Sequence, residues 1–176
     1  SGIYNATNPD KNIRSESLNL EAIDSIGKNE ADGFLKIGLD PTGKLNAAAG
    51  VQTDDEIFIN SPGHSLNTDR ITAGGDITII GSEDINIASK NGGIETKLGN
   101  VTIDTARAIT DADSDDGTAS ITAQNIDLIV DGTGQSKETD DGFFIGEENN
   151  LFEIDTLSLG KLKAEAPDGV FISETD

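Results

Sequence analysis

The chain contains no cysteine, no tryptophan and no methionine, and aromatic residues make up only 4% of its 176 residues. Without cysteine there can be no disulfides, so stability must come from packing and backbone hydrogen bonds. The usual zinc sites combine several Cys and His ligands, and this chain offers only His64, in a Ser-Pro-Gly-His-Ser turn. We therefore predict a surface position for His64 and no metal-assisted catalysis.

Basic residues are also scarce. Twelve Lys and Arg face thirty-three Asp and Glu, which gives a net charge of −21 and a pI near 4.1. Such a surface repels nucleic acid and anionic membranes, so we predict neither as a partner. No apolar run approaches the roughly 18 residues that span a bilayer. Because the first residue is Ser1 and not Met, we expect a processed chain or a fragment of a larger protein.

What the sequence does contain is a recurring pair of aliphatic residues separated by one polar residue. The clearest examples are Ile77-Thr78-Ile79, Ile85-Asn86-Ile87 and Val101-Thr102-Ile103. Side chains alternate between the two faces of a strand, so both members of a pair lie on one face. The pairs recur every seven to nine residues, with Gly, Ser, Asp and Asn between them. This spacing predicts an all-β chain, and we favour a β-solenoid over the alternative, a β-sandwich.

Similar phrases recur at long range and divide the chain. Residues 43–47 read GKLNA and residues 160–164 read GKLKA, and three other pairs of matching phrases, two before this one and one after it, occur in the same order at offsets of about 110 residues. We predict an N-terminal arm or cap over 1–16, a first solenoid repeat over 17–120 and a truncated second repeat over 121–176. Further inward pairs are expected at Leu157-x-Leu159 and Leu162-x-Ala164.

Several of these phrases resemble the repeat arrays of filamentous-haemagglutinin-like secreted adhesins. They are GGDITIIGSEDINIAS at 74–89, GNVTIDTARAITDAD at 99–113, ADGFLKIG at 31–38 with GKLNA, and the stretch from 149 to 176. The resemblance covers about residues 15–176 and consists of strand and turn rhythm. It implies a right-handed β-helix, secretion to the bacterial cell surface, and a role in adhesion or surface structure. It carries no catalytic residues to transfer.

The most acidic loop is the best candidate for a site. Asp111, Asp113 and Asp115 alternate, with Asp116 beside them, and hard cations such as calcium take six to eight oxygen ligands. The match to an EF-hand loop is imperfect, because Gly117 stands at the seventh position and Thr122 at the twelfth. The alternative is a solvated acidic turn. A second acidic cluster is formed by Asp140, Asp141, Glu147 and Glu148.

These observations predict a structural and adhesive shaft module without catalytic activity. Two other functions remain open at this point: a self-assembling extracellular filament subunit, joined end to end or by strand donation, and a carbohydrate-active β-helix protein. Carbohydrate cleavage needs two carboxylates about 5 to 9.5 Å apart, and the chain has many acids but few aromatic platforms for sugars. Calcium is the one candidate cofactor, and further copies of the chain, joined end to end, and host or surface glycans are the candidate partners.

Overall fold

The computed structural model describes residues 13–30, 33–113, 117–132 and 142–175. Those residues contain no helix and form sixteen strands. The strands are β1 (Ile13–Ser15), β2 (Leu18–Glu21), β3 (Leu35–Leu39), β4 (Lys44–Ala48), β5 (Ile57–Ser61), β6 (Leu66–Ala73), β7 (Ile77–Gly81), β8 (Ile85–Ile87), β9 (Gly93–Thr96), β10 (Asn100–Thr105), β11 (Ile109–Asp111), β12 (Ile121–Val130), β13 (Phe144–Ile145), β14 (Phe152–Glu165), β15 (Gly169–Val170) and β16 (Ile172–Glu174).

The chain winds into a β-solenoid of about six coils, and the strand pairings define three faces. Face 1 contains β1, β3, β5, β7, β10 and the second halves of β12 and β14. Face 2 contains the first half of β6 with β8, β11, β13 and β15. Face 3 contains the second half of β6, β9, the first halves of β12 and β14, and β16. Strands β2 and β4 pass from face 2 to face 3.

Every strand pairs in parallel with the strand one coil away. Ile57 pairs with Ile77, Ile77 with Val101 and Val101 with Ile126, so one coil takes 20 to 25 residues here. The predicted solenoid is therefore confirmed. The β-sandwich alternative is wrong, because sandwich strands pair antiparallel within two facing sheets.

The core consists of aliphatic ladders that run along the solenoid axis inside each face. On face 1, Ile57, Ile77, Val101 and Ile126 stack in register and are at most 1% exposed. The corresponding ladders are Leu66–Ile85–Ile109–Ile145 on face 2 and Ile71–Ile94–Ile121–Ile154 on face 3. Each fully buried aliphatic side chain contributes about 1.5–3 kcal/mol, so these ladders supply the main stabilisation.

At one of the three corners, glycines bring the backbones of successive coils close together. We call it the 3–1 corner, since its segments 22–25, 50–56, 74–76, 97–99, 124 and 157–160 join face 3 to face 1. A Cβ atom added at Gly74 would lie 2.2 Å from the carbonyl oxygen of Gln52, and one at Gly99 would lie 2.3 Å from Gly75. Real Cβ atoms do not approach so closely, so glycine lets the coils stack here.

The last coil is less buried than the others. Leu162 continues the ladder of Ile126 on face 1, and Val170 continues that of Ile145 on face 2. Their relative exposures are 41% and 42%, whereas Ile126 and Ile145 are at most 1% exposed. The C-terminal end of the described chain therefore presents the ends of the core ladders.

Candidate functional site

The predicted calcium loop follows β11, and the structure describes two of its four aspartates. Asp111 is only 5% exposed. Its Oδ2 accepts a hydrogen bond from Ser120 Oγ at 2.9 Å, and its Oδ1 accepts one from the Asp113 backbone N–H at 2.8 Å. Asp115 and Asp116 lie outside the described residues. The carboxylate of Asp111 thus accepts hydrogen bonds from two other residues of its own loop and stabilises the conformation of that loop.

The side chain of Asp113 is directed to the preceding coil. Its Oδ2 accepts hydrogen bonds from the backbone N–H of Lys90 at 2.8 Å and from Ser89 Oγ at 3.4 Å. From the following coil, Asn150 Nδ2 donates to the carbonyl oxygens of Asp111 and Asp113, both at 3.1 Å. These bonds connect the loop to the coils on either side.

Within the described ranges no three or more His, Asp or Glu side chains are arranged to hold a metal ion. Calcium binding by this loop stays a prediction.

The second predicted acidic cluster is described only in part. Glu147 and Glu148 follow β13, and the backbone groups of Glu147 exchange two hydrogen bonds with Asn150, at 2.9 and 3.1 Å. Asp140 and Asp141 lie outside the described residues. The two glutamates therefore belong to a tight turn. Cation binding by the four acids together stays a prediction.

His64 lies in the exposed turn between β5 and β6. Its backbone carbonyl accepts a long hydrogen bond, 3.4 Å, from Ser61 Oγ. This is the surface turn that the sequence predicts.

Polar side chains on the outside of the coils form rows that sequence reasoning missed. On face 2, Asn86 Nδ2 donates to Asn67 Oδ1 at 2.8 Å, and Thr110 Oγ1 donates to Asn86 Oδ1 at 2.6 Å. Asn67 Nδ2 in turn donates to the carbonyl oxygen of Pro41 at 2.9 Å. We call these side chains the face 2 row. The signal was available, since each of the three stands directly after the first buried residue of its strand.

A second row runs beside the 3–1 corner. Asp76 Oδ1 accepts hydrogen bonds from the backbone N–H and the Nδ2 of Asn100, at 2.8 and 3.0 Å. Asn125 Nδ2 donates to Asn100 Oδ1 at 2.6 Å, and Asn125 Oδ1 accepts from the Lys161 N–H at 3.1 Å. Each bond joins one coil to the next, so the row stabilises the stack. We call it the corner row.

Carboxylates crowd together at two places on the surface. Burial, followed by the charges of Asp76 and Asp54, raises the pKa of Glu56. Burial, followed by the charges of Asp131 and Asp127, raises the pKa of Asp104, and Lys163 opposes that rise. Ionisation of Glu56 and of Asp104 is therefore less favourable than that of an ordinary carboxyl group. A cation near either group would reduce the repulsion between the carboxylates.

A groove of about 570 Å³ lies on the outside of face 1. Its polar lining residues include Asn100, Asn125, Asp127, Lys161 and Lys163. Lys163 Nζ lies 3.6 Å from Asp127 Oδ1. The arrangement offers hydrogen-bond donors and acceptors to a polar ligand on an open sheet surface.

No helix in the described part of the chain is long and apolar enough to cross a membrane. Comparison of the chain with protein-family models, with curated proteins and with solved structures finds no match.

Proposed function

We propose that this chain is a structural shaft segment of a large secreted cell-surface protein. The observation that carries the proposal is the continuity of the three core ladders, which stack in register through about six coils. In such a stack each coil contacts mainly its two neighbours, so length is added without a change of cross-section. A protein that must extend a binding end away from a cell needs this property.

The outer surface supports the same function. The hydrogen bonds of the face 2 row and the corner row join coil to coil, and they stiffen the stack in addition to the backbone ladders. The net charge of −21 keeps separate shafts from associating side by side. The resemblance of the sequence to filamentous-haemagglutinin-like adhesins supports secretion and an adhesive role.

Immunogold electron microscopy of the source cells tests the location that the proposal requires. Antibodies raised against the purified chain should label the outside of intact cells, at a distance from the envelope. Permeabilised cells serve as the control for antibody access. Labelling that appears only after permeabilisation would rule out a surface shaft.

For the adhesive role we propose glycans of neighbouring or host cells as the partner class. The groove on face 1 supports this, because Asp127 and Lys161 in its lining can hydrogen-bond to sugar hydroxyls. A glycan array probed with the labelled chain should show binding that Lys161→Ala weakens. An array on which the chain binds nothing would remove glycans as partners.

End-to-end self-association is a second candidate function. It is supported by the half-exposed ladder ends Leu162 and Val170, on which a further coil can pack. That coil could belong to a longer chain or to a second copy. Sedimentation velocity and negative-stain microscopy across a range of concentrations distinguish the two cases. Monomers at every concentration would dismiss the filament, whereas filaments that Leu162→Asp prevents would support it.

A further inference from the structure

The large hydrophobic side chains that stay exposed are concentrated at one place on the solenoid. Six are exposed in the described residues, and two of these are the ladder ends Leu162 and Val170. The other four all lie at the 3–1 corner. They are Ile23 at 77%, Val51 at 80%, Leu98 at 58% and Leu159 at 97% exposure. Single exposed hydrophobic residues are ordinary, but these four lie at the same corner, in the first, second, fourth and sixth coils, and form a row that the third and fifth coils interrupt. We call them the corner stripe.

Backbone hydrogen bonds show that the segments carrying these residues are stacked on one another. Gly50 N–H donates to the Asp24 carbonyl at 3.2 Å, and Gly74 N–H donates to the Gly50 carbonyl at 2.9 Å. Further along, Gln124 N–H donates to the Gly99 carbonyl at 3.1 Å. The stripe therefore runs parallel to the axis, from the first coil to the sixth. Five strand spacings make it about 24 Å long.

Leu159 gives an independent indication that the stripe is not a by-product of folding. Its φ is +68°, in the left-handed region, and it is the one residue other than glycine with a positive φ in the described chain. Glycine or asparagine adopts this conformation with less strain than leucine. Since its side chain is almost fully exposed, leucine gains no burial there. Stability alone thus gives no reason for leucine at 159.

The charges around the stripe indicate what chemistry would complement it. The same corner as Ile23 and Val51 carries Asp54, Glu56 and Asp76. Burial, followed by the charges of Asp76 and Asp54, raises the pKa of Glu56. Ser25 Oγ donates to the Asp54 carbonyl at 3.0 Å and holds the first two coils together at this point. Toward the other end, Lys97 and Lys161 are the neighbouring cations. The first three coils thus combine two exposed apolar side chains, Ile23 and Val51, with concentrated negative charge.

We propose that the corner stripe is a docking surface for a basic amphipathic polypeptide segment, whose apolar side covers the four side chains. Its cations then lie against the acids of the first three coils. A helix rises 1.5 Å per residue, so about 16 residues match the stripe. A second copy of this chain is a poor occupant because two surfaces of net charge −21 repel each other. The inference goes beyond the proposed shaft function and does not require that the shaft be part of an adhesin.

The test uses a fluorescent synthetic peptide of about 16 residues, with leucines on one helical face and lysines elsewhere. A peptide of the same composition, scrambled to remove the apolar face, is the control. Binding is measured by anisotropy in about 0.3 M salt, where charges attract only over short range. The double variant Val51→Ser with Leu98→Ser keeps the charge and the core, and Val170→Ser is the matched control away from the stripe.

The proposal expects wild type and Val170→Ser to bind the amphipathic peptide alike and the scrambled peptide more weakly. The double variant should lose at least about tenfold in affinity, since burial of two aliphatic side chains is lost. Leu159→Asn should also weaken binding while it raises the melting temperature, which a purely structural leucine would not do. Equal binding by wild type and the double variant, or no binding of the amphipathic peptide, would overturn the proposal.

Discussion

The central coils and the last coil share one sequence pattern but differ in burial. Ile77 in β7 and Leu162 in β14 are members of the same ladder on face 1. Ile77 is fully buried, whereas Leu162 is 41% exposed. The difference arises because a coil packs on both sides of Ile77, and Leu162 has a described neighbouring coil on one side only. Burial in this fold is therefore a property of the stack and not of the individual strand.

Truncating the same ladder in the two regions should give the largest contrast. Ile77→Ala leaves a cavity among fully buried neighbours and should destabilise the protein by about 2–5 kcal/mol. Leu162→Ala removes a half-exposed side chain and should cost less than about 1 kcal/mol, since only part of its burial is lost. Urea unfolding measures both values. Equal losses for the two variants would mean that the ladder does not end where the structure places it.

The hydrogen bonds of the face 2 row should stabilise the central coils. Asn86 lies in the middle of the face 2 row and makes hydrogen bonds to Asn67 and Thr110. Asn86→Ala removes both bonds and should lower the free energy of unfolding by about 1–3 kcal/mol. Thr122→Ala, an outward residue on face 3, is the control. If both variants unfold at the same urea concentration, the row does not stabilise the stack.

The loop after β11 lies between the two regions and contains the predicted calcium site. If calcium binds there, the ion at ten times its Kd should stabilise the protein by about 1.4 kcal/mol, seen as a higher melting temperature. Asp113→Ala should remove that shift, and magnesium at the same concentration controls for ionic strength. An unchanged melting temperature with calcium would end the calcium hypothesis.

Two carboxylates should respond to pH with opposite sign, by smaller amounts. Burial and neighbouring charges raise the pKa of Glu56, so its contribution to stability falls as pH rises above the ordinary glutamate value of 4.5. Hydrogen bonding to Asn91, together with Lys44, lowers the pKa of Asp69, so its contribution is lost as pH falls below the ordinary value of 3.8.

Melting temperatures at pH 7 and at acid pH test this pair. Glu56→Gln should raise the melting temperature at pH 7 and change little below pH 4.5. Asp69→Asn should lower it at pH 7 and change little below pH 3.8. Shifts of the same sign at pH 7 would contradict the local electrostatics described above.

Most of the fold was predictable because strand alternation and turn residues are local signals. The pairs starting at residues 77, 85 and 101 correspond to β7, β8 and β10, which together with β9 form one full circuit of the three faces. The assignment of strands to faces was not predictable in the same way. GKLNA at 43–47 lies on faces 2 and 3, whereas GKLKA at 160–164 leads into face 1. In both segments a tight turn leads into a strand, and turns of this kind precede strands on all three faces. The similar wording of the two segments therefore does not indicate a face.

The pair Leu157-x-Leu159 shows the limit of the alternation rule. The sequence predicts two inward side chains, but the pair falls at the 3–1 corner and Leu159 is exposed. A corner breaks the alternation, and no local signal separates it from a strand.

The acidic loop shows a second limit of prediction from the sequence. Alternate spacing predicts convergent carboxylates, whereas Asp111 and Asp113 hydrogen-bond to Ser120 and to the Lys90 backbone, respectively. These donors come from residues that only the fold brings close.

The most direct test of the shaft is a distance along its axis. Lys36 and Glu165 lie on one outward row of face 1, five strand spacings apart, connected through Asn60, Ile80, Asp104 and Ile129. Because the chain has no cysteine, Lys36→Cys with Glu165→Cys accepts nitroxide labels at these two positions alone. Double electron–electron resonance should give a narrow distribution near about 24 Å, after the label arms are allowed for. A broad distribution, or a distance well away from that value, would contradict a rigid stack of coils.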